Sequence, residues 1–227
     1  MKSMSGPEFI EYLRTVDTPT LLNAIELLGV RKHHEGFTPL ELRCLFPELG
    51  RMAAYAVTAQ VETVTQMAPR DNRLFLDLYE LVQASPKPAV VVLQEIGGMG
   101  NLAAHAGEVM CTIFRRLGAV GLISDCGVRD IPEVRGLGFQ YFARGTVASH
   151  ANYRIARVGV TVQICGMVVQ PGDLLHGDEN GLALVPAEKR ENIPEMVNRV
   201  RAREGKLLDY VRSEGFTLEG LKAHILE

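Results

Sequence analysis

Residues 107–130 constrain the fold of this chain more than any other stretch. Gly107-Glu108 can open a helix, Val109, Met110, Ile113, Phe114 and Leu117 follow at helical spacing, and Gly118 ends it. Ala119-Val120-Gly121-Leu122-Ile123 is then an apolar run too short for a helix. The turn formers Ser124-Asp125-Cys126-Gly127 come next, so the pattern predicts a buried strand ended by a turn. Arg129 and Asp130 follow that turn, at the mouth of a second helix over 131–137. Helix, buried strand, charged turn and helix form a parallel α/β unit, which presents chemistry at the carboxyl ends of its strands.

The rest of the chain supplies partners for that unit. Ala89-Val90-Val91-Val92-Leu93 is a continuous apolar run between Pro88 and the glycine-rich segment 97–100, as expected of a central strand buried on both faces. Residues 53–65 alternate and are rich in valine and threonine, which predicts another strand. Helices are expected over 7–16, over 18–28 with Thr18 as cap and Gly29 as stop, and over 74–82. Residues 30–51 read as loop. Strand signals return at 139–146 and 155–164, then at 174–186 as two short strands around an Asp/Asn/Gly turn. A charged amphipathic helix over 187–211, interrupted at Pro194 and near Gly205, and a last helix opened by Thr217 complete the reading. There is no internal repeat or linker, so residues 1–227 are expected to form a single domain.

A net charge of −3 and the lack of a Lys/Arg-rich arm argue against a nucleic-acid partner. Cys44, Cys111, Cys126 and Cys165 form no CxxC pair and read as free thiols. No apolar leader and no run of 18 apolar residues occur, so the expectation is a cytoplasmic protein with no membrane partner. The glycine-rich loop matches neither GxGxxG nor GxxxxGK[ST], which argues against a dinucleotide site. His33-His34-Glu35 reads as a solvated loop, because adjacent histidines point apart.

The candidate chemistry lies in Glu108, Arg129 and Asp130. If they meet, two carboxylates at helix starts, each favoured by the helix dipole, form a negative pocket beside a cation. Oxygen ligands without histidine or cysteine favour Mg²⁺ or Mn²⁺ over Zn²⁺. Arg129 can grip a substrate carboxylate with two hydrogen bonds, and the N–H groups of Val109 and Met110 offer a second anion site. A small 2-oxo acid fits that donor set. The competing reading is an Arg129–Asp130 surface ion pair with Glu108 as an ordinary first-turn acid.

The ordered set Gly107-Glu108, Arg129-Asp130, Ala143-Arg144-Gly145 and Gly177-Asp178-x2-Gly181, with Asp17-Thr18-Pro19 upstream, resembles the class II 4-hydroxy-4-methyl-2-oxoglutarate aldolases. These belong to the superfamily of the regulator of ribonuclease E activity A (RraA-like). The resemblance implies an α/β fold, a layered α/β/β/α sandwich with a central β-barrel-like core. It also implies a homo-oligomer, trimer or hexamer, with sites at subunit interfaces and the C-terminal helices of about 187–227 packed on a neighbouring subunit.

The implied activity is divalent-metal (Mg²⁺ or Mn²⁺) cleavage of 4-hydroxy-2-oxo acids to pyruvate and a second keto acid, with oxaloacetate decarboxylation alongside. Asp130 then binds the metal directly, Glu108 acts through metal-bound water, and Glu204 from a neighbouring subunit completes the shell. Arg129 holds the pyruvyl carboxylate, and the backbone of Gly107, Val109 and Met110 holds carboxylate or enolate. His105, three residues before Glu108, reads as a substrate or proton-transfer contact or, in the competing reading, as a structural residue. Glu108 stands where the family usually has aspartate, and Asn23 and Gln94 also replace aspartates. The implied alternative is a non-catalytic regulator that binds a protein partner.

Overall fold

Four parallel strands run through the middle of the molecule, and their side chains alternate between two cores. The structure, a computed structural model, describes residues 4–63 and 72–226. In chain order the elements are α1 (Gly6–Leu13), α2 (Thr18–Leu28), β1 (Arg43–Cys44), β2 (Met52–Thr63), α3 (Asn72–Ala84), β3 (Ala89–Glu95), α4 (Glu108–Arg116), β4 (Ala119–Val128) and α5 (Ile131–Gly136). There follow β5 (Gln140–Thr146), β6 (Tyr153–Val158), β7 (Val162–Ile164), β8 (Met167–Val169), β9 (Leu174–Asp178), β10 (Gly181–Val185), α6 (Ile193–Arg212) and α7 (Leu218–Leu226).

The main sheet is ordered β1-β5-β4-β3-β2-β9-β10, with β6 also on β2. Strands β2 to β5 pair in parallel, and the other pairings are antiparallel. β2 makes the corner. Its first residues pair with β9 and its last with β6, with a register shift between Gln60 and Val61, so the sheet curls into a nearly closed barrel.

The period of two along each strand divides the interior. Val90, Val92, Ile123 and Phe142 face inward with Ala54, Ala56, Leu175 and the β7–β8 hairpin. Val91, Leu93, Leu122 and Tyr141 face outward under Leu78 of α3, Phe114 of α4 and Val134 of α5. A third cluster joins α1, α2 and α6 to Ala53, Leu174 and Val185, which gives the outer helical layer on the other side. The layered α/β/β/α architecture with a barrel-like core is therefore present.

A buried polar tether ties α2 to β9. Asp178, 1% exposed, accepts from Thr18 N at 2.7 Å and from Asn180 N at 2.8 Å. His176, also buried, links Thr18 Oγ1 at 3.1 Å to the Leu13 carbonyl at 3.1 Å. The Gly177-Asp178-x2-Gly181 sequence thus fixes where the second helix begins.

Several boundaries differ from the sequence expectation. Asp17, not Thr18, caps α2, by accepting from Thr20 N; Thr18 is occupied by His176 and Asp178. Residues 124–127 are not a turn: β4 continues to Val128 because β5 keeps pairing with it through Gly127 and Val128. The stretch 155–164 is two strands, split around Gly159 at φ 64°. α6 begins only at Ile193 and runs unbroken through Gly205, since Pro194 lies in its first turn, where no N–H is needed. Its first turns pack Ile193, Val197 and Val200 on the α1–α2 layer of the same chain. Residues 64–65 of the strand expected over 53–65 lie outside the described residues.

Removing the Asp178 carboxylate leaves the buried Thr18 N–H unpaired. Asp178→Ala is expected to cost about 2–4 kcal/mol in urea denaturation, whereas Glu179→Ala, exposed and one residue on, stays within about 0.5 kcal/mol.

Candidate active site where β4 meets the start of α4

Residues 104–106 run beside the end of β4 as a short parallel extension of the sheet. His105 N donates to the Gly127 carbonyl at 2.9 Å, and Arg129 N donates to the Ala106 carbonyl at 3.1 Å. This pairing carries the chain to Gly107, directly against the Arg129-Asp130 turn. Asp130 sits at φ 58°, ψ 49°, a left-handed conformation that aspartate adopts more readily than most residues. Its carboxylate turns back onto α4, and Oδ2 accepts from Glu108 N at 2.8 Å.

Gly107 is extended, φ −141°, a conformation open to any residue, so its requirement is space. A β-carbon there would overlap the Asp130 carboxylate and stand 3.0 Å from Arg129 Nε. Arg129 Nε lies 3.7 Å from Asp130 Oδ2, and the two side chains are 38% and 37% exposed. The structure thus brings together Gly107, Glu108, Arg129 and Asp130. The Glu108 carboxylate is exposed, and neither it nor Asp130 Oδ1 has a hydrogen-bond partner among the described residues. The N–H groups of Val109 and Met110 are likewise without an acceptor there. The Met110 side chain is engaged, its sulfur accepting from Tyr153 Oη at 3.0 Å, so Met110 offers only backbone.

Two expected contributors lie elsewhere. Glu204 is exposed on α6 and accepts from Asn23 Nδ2 at 3.3 Å, with no contact to Glu108 or Asp130 in the same chain. His105 is fully buried, with one ring nitrogen 2.9 Å from Glu95 Oε2 and the other 2.9 Å from Ser124 Oγ. The expectation of a direct substrate contact from His105 is corrected accordingly, since both its polar atoms are already partnered below the surface.

Sequence reasoning missed the polar layer around His105. Glu95 accepts from Thr63 N at 2.7 Å, Thr63 Oγ1 at 2.6 Å and Gly97 N at 2.8 Å as well as facing His105. Burial pulls its carboxyl upward, but the donors from His105, Thr63 and Gly97 outweigh it and hold the group below the usual carboxylate range. Asp125 accepts from Glu95 N at 2.8 Å; burial, with the Glu95 charge beside it, pushes its carboxyl up to about 6.

Glu95, His105 and Cys126 have ligand atoms within 4.8 Å of one another, the one such grouping of three among the described residues. It suits a metal poorly. The Glu95 and His105 ligand atoms are already partnered within the protein, in a layer buried beneath the turn. The two open carboxylates at Glu108 and Asp130 are the better match to a hard cation, which uses one or two carboxylates and keeps several waters.

A family model described as RraA-like, Aldolase/RraA, matches residues 18–184, a span that contains this site and the Asp178 tether. The chain belongs to the RraA-like family. A Halalkalibacterium halodurans protein described as "Putative 4-hydroxy-4-methyl-2-oxoglutarate aldolase" is 28% identical over 202 residues, 88% of this chain and 87% of that protein.

Two solved structures share the RraA-like fold. Streptomyces coelicolor RraAS2, described as an unusual member of the RNase ES inhibitor RraA protein family, aligns at TM-score 0.65 with 24% identity, covering 94% of this chain and 100% of its own. An uncharacterized protein from Pseudomonas syringae pv. tomato aligns at TM-score 0.68 with 24% identity, covering 96% and 98%. No helix among the described residues of this RraA-like chain is long and apolar enough to cross a membrane.

The raised Asp125 carboxyl gives a pH signature with a definite sign. The folded state holds that proton more tightly than the unfolded chain, so its contribution is complete below about pH 4 and is lost as pH rises through about 6. Asp125→Asn keeps an acceptor for Glu95 N and removes the titration. In urea denaturation from pH 4 to 7, the stability of the natural protein relative to Asp125→Asn is expected to fall by about 2–3 kcal/mol and then level.

Proposed function

We propose that this protein is a divalent-metal-dependent lyase that cleaves 4-hydroxy-2-oxo acids, such as 4-hydroxy-4-methyl-2-oxoglutarate, to pyruvate and a second keto acid, and that it also decarboxylates oxaloacetate. The observation that carries the reading is the arrangement at the start of α4: a half-exposed arginine, two carboxylates with open oxygens and two free N–H groups converge where the carboxyl end of β4 meets Gly107.

Asp130 and Glu108 would hold the ion. A bound Mg²⁺ or Mn²⁺ supplies Lewis acidity toward the keto oxygen of the substrate. Arg129 binds the substrate carboxylate, and its fork fixes the orientation of the 2-oxo acid. The N–H groups of Val109 and Met110, at the positive end of the helix dipole, would favour negative charge at the start of α4. Breaking the C3–C4 bond passes the C4 hydroxyl proton to a water held by Glu108, turns C4 into the carbonyl of the second keto acid and leaves the pyruvate enolate; loss of CO₂ from oxaloacetate leaves the same enolate, which these N–H groups would stabilise until it takes a proton to give pyruvate.

Glu204, which accepts from Asn23 in its own chain, would be supplied to the site of a neighbouring copy in a homo-oligomer, trimer or hexamer. A role limited to binding a protein partner leaves the open Asp130 oxygen and its tailored glycine without a purpose.

Pyruvate release from oxaloacetate and from 4-hydroxy-4-methyl-2-oxoglutarate, followed by coupling to lactate dehydrogenase, is expected with Mg²⁺ or Mn²⁺ and is expected to vanish in excess EDTA. Asp130→Ala is expected to abolish it. Arg129→Ala should raise KM as well as lower kcat, because the clamp acts in both ground and transition states. Metal-independent release, or none from either substrate, overturns the reading.

A further inference from the structure

The site depends on where residues 104–107 lie. Backbone bonds tie that segment to β4 and, through Ala104 N to the Ser149 carbonyl at 2.9 Å, to the stretch after β5. The His105 side chain holds it from below. His105 points inward between β3 and β4, its ring 5.8 Å from Tyr153, and meets Glu95 at one nitrogen and Ser124 at the other. Ser124 Oγ accepts from Cys126 N at 3.0 Å and lies within hydrogen-bond distance of His105 Nδ1. The Glu95 carboxylate can only accept, so His105 Nε2–H donates to it.

Glu95 is the hub of this layer. Its carboxylate accepts from four groups: the Thr63 amide and hydroxyl at the end of β2, Gly97 in the following loop, and His105. Two glycines make room for it, because a β-carbon at Gly97 would stand 2.6 Å from Glu95 Oε1 and one at Gly100 would stand 2.5 Å from Glu95 Cγ. One side chain thus joins the carboxyl end of β2, the glycine-rich loop after β3, and the residue two positions before Gly107.

We propose that Glu95, acting through His105, is a positioning residue that sets the height of Gly107 and the first turn of α4 against Arg129 and Asp130. The effect on catalysis rests on the lyase reading above; the mechanical effect on residues 104–110 does not. Charge is the means by which Glu95 acts. A carboxylate accepts from all four donors, whereas an amide keeps one oxygen and turns N–H groups toward two of them, either Thr63 N with Gly97 N or Thr63 Oγ1 with His105 Nε2. Either way one side of the layer loses its acceptor, and the support beneath residues 104–107 shifts.

The test compares the full-length natural protein with Glu95→Gln and with the milder Ser124→Ala, which frees the far side of His105 while leaving the Glu95 carboxylate in place. Hydrogen exchange read by mass spectrometry should quicken selectively in peptides covering 104–110, with β2 to β5 still protected. Metal-dependent kcat/KM for oxaloacetate should fall about 10–100-fold with a rise in KM, as for a displaced binding group. Ser124→Ala should show the same pattern more weakly, and it decides the matter if Glu95→Gln does not fold.

Exchange that quickens uniformly over the chain, with activity falling only as the folded fraction falls, assigns Glu95 to general stability and overturns the proposal. Unchanged exchange and kinetics in folded variants overturn it equally. If the natural protein releases no pyruvate, the lyase reading fails, and the exchange pattern alone still decides the positioning role.

Discussion

One hydrogen bond, from Glu108 N to Asp130 Oδ2, joins the two halves of the candidate site. The first N–H groups of any helix lack partners within it, and here the helix that opens the site takes one acceptor from a residue 22 positions later. That acceptor lies at the start of the next helix, because β3, β4 and β5 pair in parallel and the chain enters α4 and α5 at the same end of the sheet. Asp130 holds the architecture with one oxygen and leaves the other open. The left-handed backbone that aims the carboxylate and the missing side chain at Gly107 are the two local conditions that allow this.

Beneath that bond lies a polar layer where a parallel α/β protein is usually apolar. Buried polar groups are tolerated when each is satisfied, and a partly satisfied network is costly. Here Glu95, His105, Ser124 and Thr63 all have partners. Asp125, on the neighbouring position of β4, keeps one bond and a raised pKa. The layer separates the apolar barrel interior from the open turn, and it gives the loop after β3 a fixed course without hydrophobic side chains. The Asp178–Thr18–His176 tether does the equivalent work at the start of α2.

The fold was legible where a single strong pattern governed it. The run 89–93 had to be a strand buried on both faces, and its side chains do alternate between Val90 and Val92 inside and Val91 and Leu93 under the helices. That Glu108 and Arg129-Asp130 lie side by side was also legible, because helix starts and strand ends place such residues at one end of a parallel sheet; the Arg129–Asp130 ion pair of the competing reading is present as well. Ser124-Asp125-Cys126-Gly127 misled as a turn: each residue has turn chemistry, but pairing with β5 and the parallel segment 104–106 overrides local propensity. The partners of His105 were hidden for a related reason. Its partners Glu95 and Ser124 come from two other strands, and only the register of β3 and β4 brings them together.

The most direct test of the account is Mn²⁺ binding, followed by electron paramagnetic resonance, to the natural protein and to Gly107→Ala. The added methyl group suits the extended backbone and disturbs only the space that the Asp130 carboxylate and Arg129 occupy. The account predicts a folded variant with an unchanged far-UV spectrum and an affinity for Mn²⁺ lowered by about tenfold or more. Equal affinity in both proteins, or no Mn²⁺ binding by the natural one, contradicts the claim that Asp130 held against the start of α4 is the heart of the site.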